Sequence, residues 1–293
     1  ITGAAGFVGA AVLRELLKKG HKVKALVRQS SVLNNLKNLD VEIVYGDLKD
    51  RESLKKSLKD CKYLFHVAAD YRLWVPKPEE IYQNNVKGTE NLMEEALNSE
   101  IEKVVYTSSV AVLGKPINGD IANEKTPVNV SQMIGHYKKS KFLAEEKVKE
   151  LYITRKLPVV IVNPAAPVGP RDIKPTPTGK MILDAAMKKI PAYLDTGLNI
   201  VHVDDVAKGH MQAFNKGKLG ERYILGGENL TLKEMLEIIS ILCGNKPPKI
   251  RLPRKPLYPI GYVFEIFARL FNIKNPMLTV DMIRMAEKKM FFS

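Results

Sequence analysis

A tyrosine and a lysine one helical turn apart are the residues of this chain best suited to moving a proton. Tyr137 and Lys141 are four residues apart in a stretch with helical spacing, so their side chains emerge on one face. A phenol with a pKa of about 10 is a weak base at neutral pH, but an adjacent ammonium favours the phenolate. The pair could therefore take a proton from a substrate oxygen or return it.

Ser109 stands where a second hydroxyl would support this chemistry. The apolar run Lys103–Thr107 predicts a buried strand, and Ser108 and Ser109 follow it directly. A serine at the end of a strand could hold the same substrate oxygen. A tyrosine four residues before a lysine is common on solvated helices, so the interpretation depends on this serine and on the glycines that begin the chain.

Three glycines at a spacing of three indicate a strand that turns sharply into a helix. They are Gly3, Gly6 and Gly9, and Phe7 to Lys19 follow with the apolar pattern of a helix. Gly3 would allow the tight turn, Gly6 would let a phosphate approach the backbone, and Gly9 would let the helix press onto the sheet. The exposed N–H groups of Phe7, Val8 and Gly9 would then bind a pyrophosphate at the positive end of the helix dipole.

Arg28 favours NADP over NAD as the bound dinucleotide. An NAD site usually has an acid about 20 residues after the glycines, whereas here the strand Lys22–Val27 ends at Arg28, followed by two serines. The alternative is an exposed arginine at a strand end. Asp47 would bind the adenine amino group or cap the next helix. The other residues predicted to contact the cofactor are Leu48, Ala68, Ala69, Asn85, Thr107, Tyr137, Lys141 and Pro164.

Short apolar runs alternate with helical patterns up to about residue 162, which predicts an α/β, Rossmann-like, doubly wound parallel sheet. The other predicted strands are Val41–Tyr45, Tyr63–Ala68 and Pro158–Val162, and the other helices are Arg51–Leu58, Glu79–Asn98 and Tyr137–Lys156. Residues 1–163 are expected to form the dinucleotide-binding domain. Residues 164–293, which begin with a proline-rich stretch, are expected to form mainly a smaller substrate-binding region, with segments returning to the sheet. Since only Ile1 and Thr2 precede the glycines, we expect the first strand to be truncated.

Composition narrows the class of partner. The formal net charge is +14, but there is no basic stripe with interleaved aromatics, so nucleic acid is not indicated. Phosphorylated substrates or an anionic membrane surface fit the charge better. Cys61 and Cys243 have no metal-ligand spacing and are expected to be buried in a protein of the cytoplasm; no metal is predicted.

The chain resembles the extended short-chain dehydrogenases/reductases along essentially its whole length. The resemblance rests on the glycine turn, Asp47, the Asn85-Val86-Lys87-Gly88-Thr89 run, Ser108-Ser109, the Tyr137/Lys141 pair and the run Val201 to Ala207. It implies that Ser109, Tyr137 and Lys141 are catalytic, with Asn85 supporting them. The segments HVAADYRLW, MIGHYKKSKFLAE, VNPAAPVGP, KPTPTGK and VHVDDVAKGH are most similar to the hopanoid-associated sugar epimerases, relatives of dihydroflavonol 4-reductases. Members of that family continue past the position of Ser293.

One departure from this resemblance concerns the substrate. Nucleotide-sugar epimerases place an arginine just before the Val-His-Val strand, where this chain has Leu198-Asn199. Without that bidentate contact a nucleoside-diphosphate sugar is less favoured. Four other cations could compensate or could be solvated surface charges, namely Arg171, Lys174, Lys180 and Arg222. The residues predicted to contact substrate are Asp70, Tyr71, Trp74, Ser109 and Lys180.

Several functions remain open. The first hypothesis is an NAD(P)-dependent oxidoreductase or epimerase acting on a sugar-like or lipid-linked alcohol or ketone, as in hopanoid side-chain metabolism. Alternatives are a ketone reductase like dihydroflavonol reductase and a non-catalytic dinucleotide sensor or scaffold. A nucleotide-sugar dehydratase is disfavoured, because Val110 and Ala111 occupy the place where an acid would follow Ser109. The oligomeric state stays open, a homodimer included.

The segment Leu257 to Phe271 is rich in large apolar side chains and is flanked by lysines and arginines. Fifteen residues are too few to span a bilayer. Two interpretations remain: a helix packed in the substrate-binding region, or an interfacial helix on an anionic membrane, which would make the protein peripheral to the inner face of the membrane.

Overall fold

The computed structural model describes residues 1–114, 121–274 and 276–293. Its helices are α1 Phe7–Lys18, α2 Arg51–Leu58, α3 Pro78–Tyr82, α4 Gly88–Asn98, α5 Gly135–Arg155, α6 Pro177–Ala186, α7 Val203–Lys216, α8 Leu232–Leu242, α9 Leu257–Leu270 and α10 Val280–Met285. Its strands are β1 Lys24–Val27, β2 Glu42–Tyr45, β3 Tyr63–His66, β4 Lys103–Thr107, β5 Val159–Pro164, β6 Ala166–Val168, β7 Ala192–Tyr193, β8 Gly197–His202, β9 Arg222–Leu225, β10 Glu228–Thr231 and β11 Ile250–Arg251.

A parallel sheet forms the centre of the fold. Its order is β2, β1, then Thr2, then β3, β4, β5 and β9, because Thr2 bridges Leu26 on one side and His66 on the other. Every pairing among these strands is parallel. The α/β doubly wound fold predicted from the alternation of strands and helices is confirmed.

Alternate residues of the central strands feed two apolar cores. Val104, Tyr106 and Ile161 pack with residues of α2, α4 and α5 on one face, whereas Val105 and Val162 pack with α1 and α7 on the other. These strands are buried on both faces, which explains their continuous apolar sequences. The chain after residue 163 supplies α7 and β9 to this layered structure and also the smaller sheet of β6, β8 and β10.

The predicted helix Glu79–Asn98 is not regular. It consists of α3, a π-helical turn over Gln83–Lys87, and α4. The turn places Asn85 inside the fold, where it is only 3% exposed. The apolar spacing of the sequence does not reveal such a turn, because a π-helical turn adds only one residue to an otherwise α-helical pattern.

Two expectations about exposure are wrong. Cys243 is exposed and Cys61 is only half-buried, because Cys243 follows the last residue of α8 instead of packing in a core. Within the described residues no helix is long and apolar enough to cross a membrane.

Candidate active site

The glycine turn closes tightly before α1. Gly3 has a positive φ of 73°, and a Cβ there would lie 2.6 Å from the backbone nitrogen of Ala68. A Cβ on Gly9 would lie 2.0 Å from the carbonyl oxygen of Gly3. The third glycine therefore lets the start of α1 approach the backbone of the turn, directly after Thr2 of the sheet.

The front of this turn is open. Gly6 precedes α1 and makes no side-chain cap, and the first turn of the helix contains no acidic residue. A Cβ on Gly6 would meet only the carbonyl oxygen of Gly3, at 3.2 Å, among the described atoms. The N–H groups at the start of α1, including those of Phe7 and Val8, therefore face space in which an anion can bind.

The structure brings Tyr137, Ser109 and Lys141 together at the carboxyl end of β4. The side chains of Tyr137 and Ser109 lie next to each other, close enough for the Ser109 hydroxyl to favour the phenolate form of Tyr137. The Ser109 hydroxyl also accepts a bond from the backbone nitrogen of Ala111 at 3.1 Å, because Ser109 caps the short helical turn that follows. Asn163 donates to the carbonyl oxygen of Ser109 at 3.0 Å. Both the side chain and the backbone of Ser109 are thus held in place.

Lys141 is buried and points to the end of β4. Its Nζ donates to the carbonyl oxygen of Thr107 at 2.8 Å and to the hydroxyl of Tyr106 at 3.2 Å. Burial lowers the pKa of Lys141 to about 8, and the carboxylate of Glu145 offsets part of this. The side chain is therefore mostly protonated at neutral pH.

The protonation of Tyr137 depends on its burial and on its neighbours. Burial raises the pKa of Tyr137 above its ordinary value, and the adjacent Ser109 hydroxyl offsets only part of the effect. The raised pKa makes Tyr137 a phenol that holds its proton at neutral pH. The Lys141 ammonium is bonded to Thr107 and Tyr106 here, and the expected lowering of the Tyr137 pKa by this ammonium together with an oxidised nicotinamide stays a prediction.

Asn85 connects the active-site helix with the loop after β3. Its Oδ1 accepts from the backbone nitrogen of Asp70 at 2.7 Å, and its Nδ2 donates to the carbonyl oxygen of Asp70 at 2.8 Å and to Ser140 Oγ at 2.9 Å. Ser140 in turn donates to the carbonyl oxygen of Tyr137 at 2.8 Å. The amide of Asn85 therefore positions α5 and the loop.

A buried carboxylate, that of Glu145, holds other side chains that support the same site. Glu145 accepts bonds from Asn163, from Arg222 at 3.1 Å and from Lys149 at 2.8 Å. Arg222 also donates to the carbonyl oxygen of Glu124 at 2.8 Å through Nε. These contacts leave Arg222 no free guanidinium edge for a substrate diphosphate.

The residues predicted to contact the cofactor lie around the open turn, with two differences in role. Arg28 is exposed just after β1, and Ala68 lies against Gly3. The Thr107 hydroxyl is bonded to His210 Nε2 at 2.9 Å, so only the backbone carbonyl of Thr107 faces Lys141. Asp47 does not cap α2, because Asp50 does. The remaining residues of this set are Leu48, which contacts Gly88 across the sheet edge, exposed Ala69, and Pro164 at the end of β5.

The residues predicted to contact substrate divide into two groups. Asp70, Tyr71 and Trp74 lie in the loop after β3 that Asn85 ties to α5, and Asp70 forms an ion pair with Arg72 at 2.6 Å. Lys180 is on α6, where its ammonium is exposed and pairs with Asp184 at 2.6 Å. Arg171 is paired with Asp204, and the side chain of His202 caps α7.

Sequence reasoning missed a buried polar chain behind Lys141. The Tyr106 hydroxyl is bonded to Thr89 as well as to Lys141. Thr89 Oγ1 is 3.0 Å from His66 Nε2, and His66 Nδ1 is 2.7 Å from Thr2 Oγ1. These contacts give His66 a structural role. For the other members of this polar chain, the sequence offered one signal: Tyr106 stands shortly before the two serines at the end of β4.

A family comparison agrees with this geometry. Residues 1–226 match the model of the NAD dependent epimerase/dehydratase family. The chain belongs to this family. The epimerase/dehydratase assignment is supported by a Synechocystis sp. relative provisionally named as a dihydroflavonol 4-reductase, which is 42% identical over 100% of this chain and 85% of its own length.

Two further family relatives cover nearly the whole chain. A Methylococcus capsulatus protein named sterol demethylase protein B is 35% identical over 97% of this chain and 87% of its own length. The crystal structure of gox2253 is 53% identical, has a TM-score of 0.89, and covers 100% of this chain and 88% of that one. The resemblance to the extended short-chain dehydrogenases/reductases therefore becomes a family assignment.

The residues present fit the dinucleotide that the family name implies. The glycine turn offers N–H groups with no side-chain cap and no acid beside them, which suits a pyrophosphate. Lys141 contacts the end of β4, which β3 separates from Thr2, and the carboxyl ends of these parallel strands lie on the same edge of the sheet as the turn.

Proposed function

We propose that this protein is an NAD(P)-dependent oxidoreductase that transfers a hydride between the cofactor and a carbon bearing a hydroxyl or keto oxygen. The observation that carries the proposal is the adjacency of the Tyr137 and Ser109 side chains, with Lys141 one turn further along α5. These groups lie at the sheet edge where the glycine turn would hold a pyrophosphate. A protein that only sensed dinucleotide would not need them.

Each residue has a separate task in this reaction. The bound nicotinamide would supply or accept the hydride. Ser109 would hold the substrate oxygen, since Ala111 and Asn163 fix its orientation. Tyr137 would donate its proton to that oxygen as the carbonyl is reduced, and Lys141 would bind the nicotinamide ribose. In the reduction of a ketone the protonated phenol is the proton donor, and in the oxidation of an alcohol the phenolate would accept the proton.

The substrate is better described as lipid-like than as a sugar nucleotide. Asn199, at the place of the usual diphosphate-binding arginine, is buried and donates to Asn229 Oδ1 at 2.8 Å. Arg222 and Arg171 are both engaged by carboxylates. The name of the Methylococcus capsulatus relative refers to a sterol. We therefore favour a polycyclic or lipid-linked substrate. A substrate of hopanoid side-chain metabolism would be one example.

Arg28 supports NADP as the preferred cofactor. Its guanidinium is exposed just beyond β1, and its backbone nitrogen donates to Ser31 Oγ at 3.0 Å, which folds the serine back toward it. A 2′-phosphate would gain charge-assisted bonds from this arginine.

Epimerisation is the second candidate, because the family includes epimerases and the same groups could remove and return a hydride. The test uses the complete protein and three substrate classes: a sterol ketone, a lipid-linked sugar and a nucleotide sugar. Each is supplied with deuterium-labelled NADPH to detect reduction and, separately, with oxidised NAD or NADP to detect epimerisation. Oxidoreduction predicts one label in the product per cofactor oxidised. Epimerisation predicts inversion with no net oxidation or reduction of cofactor. No turnover with any class, despite dinucleotide binding, would support a sensor instead.

A further inference from the structure

The helix α9 is apolar on nearly its whole circumference and packs on the protein by a narrow strip. Only Gly261 and Ala268 are buried, and a Cβ on Gly261 would lie 3.0 Å from Ile283 of α10. The outward side chains are large and apolar, with Leu270 72% and Ile266 57% exposed. The full exposed set is Ile260, Tyr262, Val263, Phe264, Ile266, Phe267, Leu270, Phe271 and Ile273. A contiguous apolar surface of this kind marks an interaction site.

The charged residues that flank α9 along the chain are mainly cationic. Lys249, Arg251 and Lys255 precede α9 and Lys274 follows it, all exposed. Arg251 pairs with Asp195 at 2.8 Å, and its side chain remains 65% exposed. The acid within α9, Glu265, is turned inward, where it accepts from the backbone nitrogen of Val280 at 2.8 Å. Apolar side chains bordered by lysines and arginines complement an anionic lipid surface.

We propose that α9, with the residues up to Lys274, binds the surface of an anionic phospholipid bilayer. The helix has 14 residues and is therefore about 21 Å long, too short to cross a membrane. It would lie in the interface, with its aromatic and aliphatic side chains below the phosphates and its lysines level with them. A second copy of the chain fits less well, because pairing two such faces would bring their cations together.

The proposed membrane face adjoins the candidate active site. The Arg269 guanidinium lies over the Trp74 ring, 5.8 Å from its centroid, and Trp74 belongs to the loop that Asn85 ties to α5. On the other side, Asp281 of α10 lies 3.2 Å from the position of a Cβ on Gly135, where α5 begins. If the proposed function is correct, an apolar substrate would pass from the bilayer to Tyr137 along a short path.

The experiment measures flotation of the complete protein with vesicles of phosphatidylcholine alone or mixed with phosphatidylglycerol. We expect binding to the mixed vesicles at low salt and little binding to phosphatidylcholine. The triple variant Ile266→Ser, Phe267→Ser, Leu270→Ser should lose binding at least tenfold, because it removes apolar contact without disturbing buried residues. Ile153→Ser is the matched control, since Ile153 is 66% exposed on α5 and should not affect binding.

A charge variant tests the electrostatic half of the proposal. Lys255→Gln with Lys274→Gln should weaken binding to anionic vesicles about fivefold per lysine. Equal binding of the parent and the triple variant to mixed vesicles would overturn the proposal. It is also overturned if the triple variant converts a dimer to a monomer. Vesicle binding requires no turnover, so this result is separate from the test of the proposed function.

Discussion

At the scale of single residues, the candidate chemistry rests on one phenol whose surroundings hold it in the protonated form. Burial raises the pKa of Tyr137, and its side chain lies next to that of Ser109. Lys141 keeps its ammonium close by through the carbonyl oxygen of Thr107. In the proposed reaction Tyr137 would donate the proton, the hydroxyl of Ser109 would orient the substrate, and the ammonium of Lys141 would orient the cofactor.

Replacing Tyr137 with phenylalanine should abolish turnover and leave the cofactor dissociation constant nearly unchanged. The ring still packs, whereas loss of a positioned acid costs about a hundredfold or more in kcat. Tyr82→Phe is the matched control, because it removes only a hydroxyl bonded to His136. Turnover of Tyr137→Phe within threefold of the parent would refute the assigned role.

Arg28→Asp should shift the cofactor preference from NADP toward NAD. The 2′-phosphate would meet a like charge, whereas the ribose hydroxyls of NAD could donate to the new carboxylate. Titration of both cofactors into parent and variant measures the shift, with Arg155→Asp as a control for net charge. A parent protein that binds NAD and NADP equally well would contradict the prediction.

At the scale of elements, the site depends on how β4 and the π-helical turn meet α5. Apolar spacing predicted both β4 and the helix that carries Tyr137. It did not predict the turn at Gln83–Lys87, which brings Asn85 between Asp70 and Ser140. Tyr106, on β4, links Lys141 with Thr89 of α4.

Tyr106→Phe should move the alkaline limit of activity to lower pH. The hydroxyl accepts a hydrogen bond from the Lys141 ammonium, so its removal disfavours the charged form and drops the pKa of Lys141 further below about 8. The pH profile of kcat/KM measures this, and Tyr63→Phe, at the exposed start of β3, serves as control. An unchanged profile with lower activity would indicate that Tyr106 only packs.

At the scale of the whole molecule, two buried histidines couple folding to pH. His66 and His210 are almost completely buried, and burial lowers their pKa values to about 3 and about 4. His210 Nδ1 donates to the carbonyl oxygen of Val206 at 2.8 Å, and its Nε2 accepts from Thr107, so both ring nitrogens are engaged in the neutral form. His66 links Thr2 with Thr89 of α4, whereas His210 links Thr107 of β4 with α7. The two histidines therefore attach helices to opposite faces of the sheet.

The free energy of unfolding should therefore fall as the pH drops from about 6.5 to 4. In this window the unfolded histidines bind protons that the folded ones cannot, so acid favours unfolding. His210 alone should contribute on the order of 3 kcal/mol across the window. Denaturant titrations at several pH values measure the slope. His210→Gln should reduce the slope, whereas the exposed His136→Gln should leave it unchanged; equal slopes in all three proteins would exclude this role.

The sequence by itself determined the parallel sheet, the glycine turn and the pairing of Tyr137 with Lys141. These follow from local spacing: the strands are continuously apolar because both faces are covered, and four residues make one helical turn. The sequence also showed a departure from the nucleotide-sugar epimerase pattern at Leu198-Asn199, and Asn199 is buried in the structure.

Only the tertiary structure decided which polar groups meet across long chain separations. Glu145 forms an ion pair with Arg222, and Arg171 forms one with Asp204. The hydroxyl of Thr107 forms a hydrogen bond with His210. No local pattern encodes these choices, because each buried polar group takes whichever partner packing brings within hydrogen-bond distance. The same reason applies to α9, whose apolar sequence suits a core helix equally well. Its exposure depends on the small strip, Gly261 and Ala268, by which it contacts α10 and the rest of the fold.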